Sequence, residues 1–176
     1  MLRYKIYFCS MKKKINFAVP EPLVGYNPDD VGLSTNNVFG LPLSADNAHL
    51  VLVPVPWEVT VSYRPGTANG PTAIYGASSQ IDLYDSSVSR AWECAPAFAN
   101  ESETIREKSN ILREKAAECI AFLVQGGEYE SDARMSALRD EVNAGTEELR
   151  AWVKHETASW LEKGKVVGLV GGDHST

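Results

Sequence analysis

Leu169-Val170-Gly171-Gly172-Asp173-His174-Ser175-Thr176 closes the sequence and decides how the fold is read. Val166 to Val170 is an apolar, β-branched run that stops at a glycine pair, the pattern of a buried strand. The polar triplet Asp173-His174-Ser175 therefore falls at that strand's carboxyl end. In an open α/β sheet ligands bind at this edge, because the turns there drop side chains into one crevice. A site placed on the last residues carries the expectation that the sequence is part of something longer.

Working outward from that strand, Gly164 is a natural helix stop, with Lys163 and Lys165 suited to the negative end of a helix dipole. Before it, Met135, Leu138, Val142, Leu149, Trp152, Val153 and Trp160 keep to one face, which predicts a single long helix within Asp132 to Lys163, running across Gly145. Ile105 to about Val124 has apolar residues at 105, 112, 116, 120 and 123, the stripe of a second amphipathic helix, ended by Gly126-Gly127. Residues 86–104 read as irregular. Gln80-Ile81-Asp82-Leu83-Tyr84-Asp85 alternates polar and apolar, as a half-buried strand does.

Further back, His49-Leu50-Val51-Leu52-Val53-Pro54-Val55-Pro56 is a proline-bounded apolar run, the first buried strand of a parallel sheet. A Gly- and Pro-rich loop, Trp57 to Pro71, leads to a two-turn helix over Thr72 to Ser79, with Asn69 or Gly70 able to cap it and Pro71 accommodated in its first turn. The order β, α, β, α, α, β predicts an α/β fold with a mostly parallel sheet. Residues 1–47 read as an N-terminal extension and arm, able to lie on a neighbouring subunit or on its own domain, and 48–176 as the domain proper. Met11 offers a second start, and residues 1–10 are given no role.

Composition excludes several classes of function. The 176 residues are 44% hydrophobic, enough for one domain with a real core. Seventeen Lys+Arg against 23 Asp+Glu give a formal charge of −6, so neither nucleic acid nor an anionic membrane is favoured as a partner; mild acidity of this kind ordinarily serves solubility alone, and a small cationic substrate would also suit the field. Cys9, Cys94 and Cys119 are odd in number and without CxxC spacing, which points to a reducing, cytoplasmic setting. No stretch approaches the roughly 18 apolar residues of a membrane span. Ile6 to Cys9 is too short for a signal-peptide core, and Lys12-Lys13-Lys14 follows it instead of preceding it.

Gly168-Leu169-Val170-Gly171-Gly172 lacks the third glycine of a dinucleotide fingerprint and the Lys-Ser/Thr of a phosphate loop. Ser62, Ser175 and the cysteines have no nucleophile context, and no catalytic side chain is assigned. What remains is Gly171-Gly172-Asp173-His174-Ser175. Two glycines let the chain turn tightly and let backbone approach a ligand, and an imidazole beside a carboxylate suits either a divalent metal or a buried histidine with a capping aspartate.

Gly-Gly-Asp-His-Ser after an apolar strand resembles the first metal motif of the ureohydrolases, the arginase and agmatinase family. Ser62-Tyr63-Arg64-Pro65-Gly66-Thr67-Ala68-Asn69-Gly70-Pro71-Thr72-Ala73-Ile74 resembles the same family's Ser-x-x-x-Gly-x-x-x-Gly-Pro-x-x-Ile loop and helix start. The resemblance implies a three-layer α/β/α fold and a pair of manganese ions bridging a hydroxide that attacks a guanidinium carbon, with urea as product. It implies that His174 is a manganese ligand and that Asp173 orients the site from behind it. It implies, too, a homo-oligomer.

Departures bear on the substrate. Tyr75 stands where many members carry Arg, and the long stretch 86–163 favours an agmatinase-like or less characterised branch. The family's Asp-x-His-x-Asp and Asp-x-Asp-x-x-Asp motifs lie downstream of Gly-Gly-Asp-His-Ser and are not in this sequence. His49 begins a strand and His155 lies among charged helix residues, so one histidine, His174, is left for the metals. The expectation is an agmatinase-like hydrolase by family, inactive as this chain alone. Formiminoglutamase or guanidinobutyrase activity, or a non-catalytic chain acting as an assembly partner, are the alternatives.

Overall fold

A computed structural model describes residues 18–33, 35–61 and 64–173. The Ile6–Cys9 patch, Met11, and Ser62-Tyr63 of the glycine-proline loop lie outside the described residues. So does His174.

Three strands form one parallel sheet: β1 (Leu50–Val55) in the centre, β2 (Pro96–Phe98) on one side and β3 (Val166–Gly171) on the other. Leu50 pairs with Pro96 and with Val166, so all three strands start level and finish on the same edge. Between β1 and β2 comes α1 (Gly70–Ser78); between β2 and β3 come α2 (Glu103–Val124) and α3 (Ala133–Glu162). The first crossover moves one way from β1 and the second returns past it, so the connections cover opposite faces. Val51, Val53 and Val55 face the arm, α2 and α3, while α1 lies over the alternate positions, where its Tyr75 meets Phe98 edge-on. The α/β fold with a parallel sheet is as the sequence predicts.

The helices follow their signals. Ser102 accepts the Ile105 N–H, and Asp132 accepts the Arg134 and Met135 N–H groups, so both long helices have side-chain caps. Gly126 (φ +82°) and Gly164 (φ +75°) turn the chain out of them in left-handed conformations that other residues rarely adopt. The 30-residue α3 is unbroken, and Gly145 lets it approach Leu112 of α2. The stripe of α2 shifts at its end: Cys119 is buried, whereas Leu123 is exposed. Lys163 is the C-cap residue of α3, and the side chains of Lys163 and Lys165 also find partners beyond the helix. Lys165 Nζ donates to the carbonyls of Asp46 and Ala48, at 2.6 and 2.7 Å, and Lys163 lies over the Trp160 ring.

Two expectations fail. Gln80 to Asp85 is not a strand but a turn and an irregular segment, with Tyr84 at 84% exposure. Its alternation has no sheet to face, and the Asp85 carboxylate instead accepts the Ser87 and Val88 N–H groups, a local closure that competes with strand pairing. Residues 86–104, read as irregular, contain β2. That strand is only three residues and starts at a proline, which is tolerated there because β2 is an edge. Its outer side is satisfied by the arm: the Asn37 amide accepts the Phe98 N–H at 2.8 Å and donates to the Phe98 carbonyl at 3.3 Å. The described part of the arm lies on its own sheet, with Leu23, Leu41 and Leu43 buried against Val51 and Val53.

Candidate functional site

Because β2 and β3 flank β1 on opposite sides, the carboxyl ends of β1 and β3 form the sheet's topological switch point, the place where α/β sheets open a crevice. Here the backbones come unusually close. Gly172 N–H donates to the Val55 carbonyl at 3.1 Å and Asp173 N–H to the Trp57 carbonyl at 3.0 Å, so pairing continues two residues beyond β3. A Cβ on Gly172 would stand 2.1 Å from the Trp57 oxygen and 3.1 Å from the Ala68 Cα. The glycine is therefore required by contact with the chain's own backbone. Asp173 is half-buried at this junction.

The loop after β1 is shaped from within. The Glu58 carboxylate accepts the Gly66 N–H at 2.6 Å, the Ala68 N–H at 3.1 Å and the Thr67 hydroxyl at 3.2 Å. Burial would push the Glu58 carboxyl up, but the hydrogen bonds from Ala68, Gly66 and Thr67 outweigh it and hold the group below its ordinary value. Glu58 N–H donates to the Ser109 hydroxyl of α2, which is fully buried. Arg106, one turn earlier on α2, donates to the Ala68 carbonyl at 3.2 Å, to Asn69 Oδ1 at 3.0 Å and to Glu101 at 2.8 Å. The hydrogen bond to Glu101, with the charges of Glu101 and Glu58, holds the guanidinium above its ordinary value despite partial burial. Asn69 is at the N-cap of α1 as predicted, but its side chain serves Arg106 and not the helix.

His49 lies just before β1, at the opposite edge of the sheet, with Nε2 2.7 Å from the Ala18 carbonyl. His155 is exposed on α3. Among the described residues no three His, Cys, Asp or Glu side chains group to hold a metal ion. Asp173 alone does not fit a pair of manganese ions. Glu58, Arg106 and Ser109 were not singled out from sequence. Ser109 carried a signal, a polar residue on the buried face between Ile105 and Leu112; the reach of Arg106 to the loop depends on α2 lying beside it.

A parallel α/β sheet with its crevice at the β1 and β3 ends defines an α/β protein with an edge-built site. Residues 48–176 match the Arginase family, and the chain belongs to that family. It is 30% identical over 90 residues to the N(1)-aminopropylagmatine ureohydrolase of Synechocystis sp., a match covering 47% of this chain and 29% of that protein. The aligned part is thus under a third of the relative's length. No solved structure matches the chain. No helix among the described residues is long and apolar enough to cross a membrane.

Proposed function

We propose that this chain supplies one metal-bearing strand end of a ureohydrolase whose intact site cleaves a guanidino compound, agmatinase-like, into an amine and urea. The observation that carries the reading is the junction at which Asp173 N–H meets the Trp57 carbonyl, one residue before His174. Family membership supports hydrolysis as the reaction class, and the relative's name, which contains agmatine, supports a guanidino substrate. The net charge of −6 favours a cation.

In this reading His174 is a ligand to manganese and Asp173 orients the edge behind it. Manganese, when bound, lowers the pKa of its water enough to supply hydroxide near neutral pH. The described residues contribute too few donors to hold two ions. Free thiols at Cys94 and Cys119 support a reducing, cytoplasmic setting, and assembly into a homo-oligomer belongs to the same proposal.

The test is product release from agmatine, 4-guanidinobutyrate and formiminoglutamate with manganese present. Residues 1–176 are expected to release neither urea nor formamide above a protein-free blank. Release by this chain would overturn the claim that its donor set is insufficient, and release in the presence of a chelator would overturn the metal-dependent reading.

A further inference from the structure

A Cβ on Gly172 would meet backbone from two segments, the Trp57 carbonyl oxygen at 2.1 Å and the Ala68 Cα at 3.1 Å. These two jaws belong to opposite ends of the loop that leaves β1. Trp57 is fixed from below by burial at 1% exposure. Ala68 has no side chain able to anchor it, yet both its backbone groups are held by side chains of opposite charge: its N–H by Glu58 and its carbonyl by Arg106.

Glu58 directly follows the first jaw and bonds the second. Its own N–H is fixed to α2 through Ser109, so the carboxylate has a rigid base from which to reach across the loop. We propose that Glu58 is a positioning residue: its carboxylate latches the two ends of the loop together, and the closed jaws set where Gly172 and Asp173 stand at the end of β3. The proposal deepens the function given above and rests on it, because the edge being positioned is the one that carries His174.

The alternative is that Glu58 only shapes its own loop. The surroundings of Gly172 argue against that, since the same space beside its Cα is closed by both the Trp57 carbonyl and the Ala68 Cα. The hydrogen bonds from Ala68, Gly66 and Thr67 favour the ionised form of the latch. Arg106, itself paired with Glu101, is the cation whose charge is felt by the Glu58 carboxylate, and Arg113 of α2 binds the neighbouring Val59 carbonyl.

Amide hydrogen exchange on residues 1–176, measured for the parent, Glu58→Ala and Glu58→Gln, tests the latch without metal or substrate. Its outcome is therefore separate from that of the product-release assay. Glu58→Ala is expected to speed exchange by about tenfold at Gly66 and Ala68 and also at Gly172 and Asp173, with the amides of α2 and α3 unchanged. Glu58→Gln keeps an acceptor oxygen but no charge, so it falls between the two. In the parent the same four amides speed up, after correction for intrinsic rates, as acid protonates Glu58, and Glu58→Gln loses that step. This comparison decides the matter even if Glu58→Ala does not fold. Acceleration confined to Gly66 and Ala68, or shared equally by α2 and α3, would overturn the proposal.

Discussion

Gly172 and Trp57 approach so closely that a Cβ on the glycine would lie 2.1 Å from the tryptophan's carbonyl oxygen, the same oxygen that accepts the Asp173 N–H. One contact thus fixes both the identity of residue 172 and the place of residue 173. The obstacle is backbone, which cannot rotate away.

Gly172→Ala is accordingly expected to destabilise the protein by about 1–3 kcal/mol, the usual range of overpacking. Chemical denaturation measures it. A loss below about 1 kcal/mol would mean that the two backbones separate easily, contrary to the close junction described.

Gly145 makes an informative contrast. Its Cβ would also meet an atom at 2.1 Å, but that atom is the Leu112 Cδ1, the end of a flexible side chain. Alanine is favoured over glycine within a helix by about 1 kcal/mol, which offsets part of the repacking. Gly145→Ala should therefore cost clearly less than Gly172→Ala in the same denaturation series.

Asn37 should matter beyond its place in the arm, because its amide satisfies both the N–H and the carbonyl of Phe98 on the outer side of β2. Asn37→Ala leaves that edge without its partner and is expected to cost about 1–3 kcal/mol. Exchange at the Phe98 amide should rise more than at Val53 in the central strand.

Glu58 also gives the chain a pH dependence with a definite sign. Its folded pKa lies below the unfolded value, so its contribution is fully present above the unfolded carboxylate pKa and is lost as pH falls through the folded one. Between about pH 5 and pH 3 the parent's melting temperature should fall more steeply than that of Glu58→Gln. Parallel acid limbs for the two proteins would remove Glu58 as a source of acid sensitivity.

The parts of the fold that were legible in the sequence are those whose signal is local. β1 and β3 declare themselves as apolar β-branched runs, and α2 and α3 as stripes long enough to reveal their period. α3 reads through Gly145 because its apolar face continues on both sides, and the structure gives the glycine a packing reason. β2 was not legible, since three residues cannot display a period and its satisfaction comes from Asn37, 61 positions away. Gln80 to Asp85 misled for the opposite reason: its alternation is real, but Asp85 closes a turn instead of joining a ladder. At the candidate site the end of β3 at Gly171 was legible as the end of an apolar run, but the contact of Gly172 with the Trp57 carbonyl was not. Nor was the Glu58–Ala68–Arg106 clasp, because it exists only once α2 is laid beside the loop.

The central claim is that the end of β3 is where this chain meets a metal. Paramagnetic broadening of amide NMR signals by added Mn2+ tests it most directly, since it detects binding too weak for catalysis. The account predicts broadening centred on Gly172, Asp173 and the neighbouring Trp57 and Glu58, lost in His174→Ala. Broadening centred elsewhere, or unchanged by His174→Ala, would contradict it.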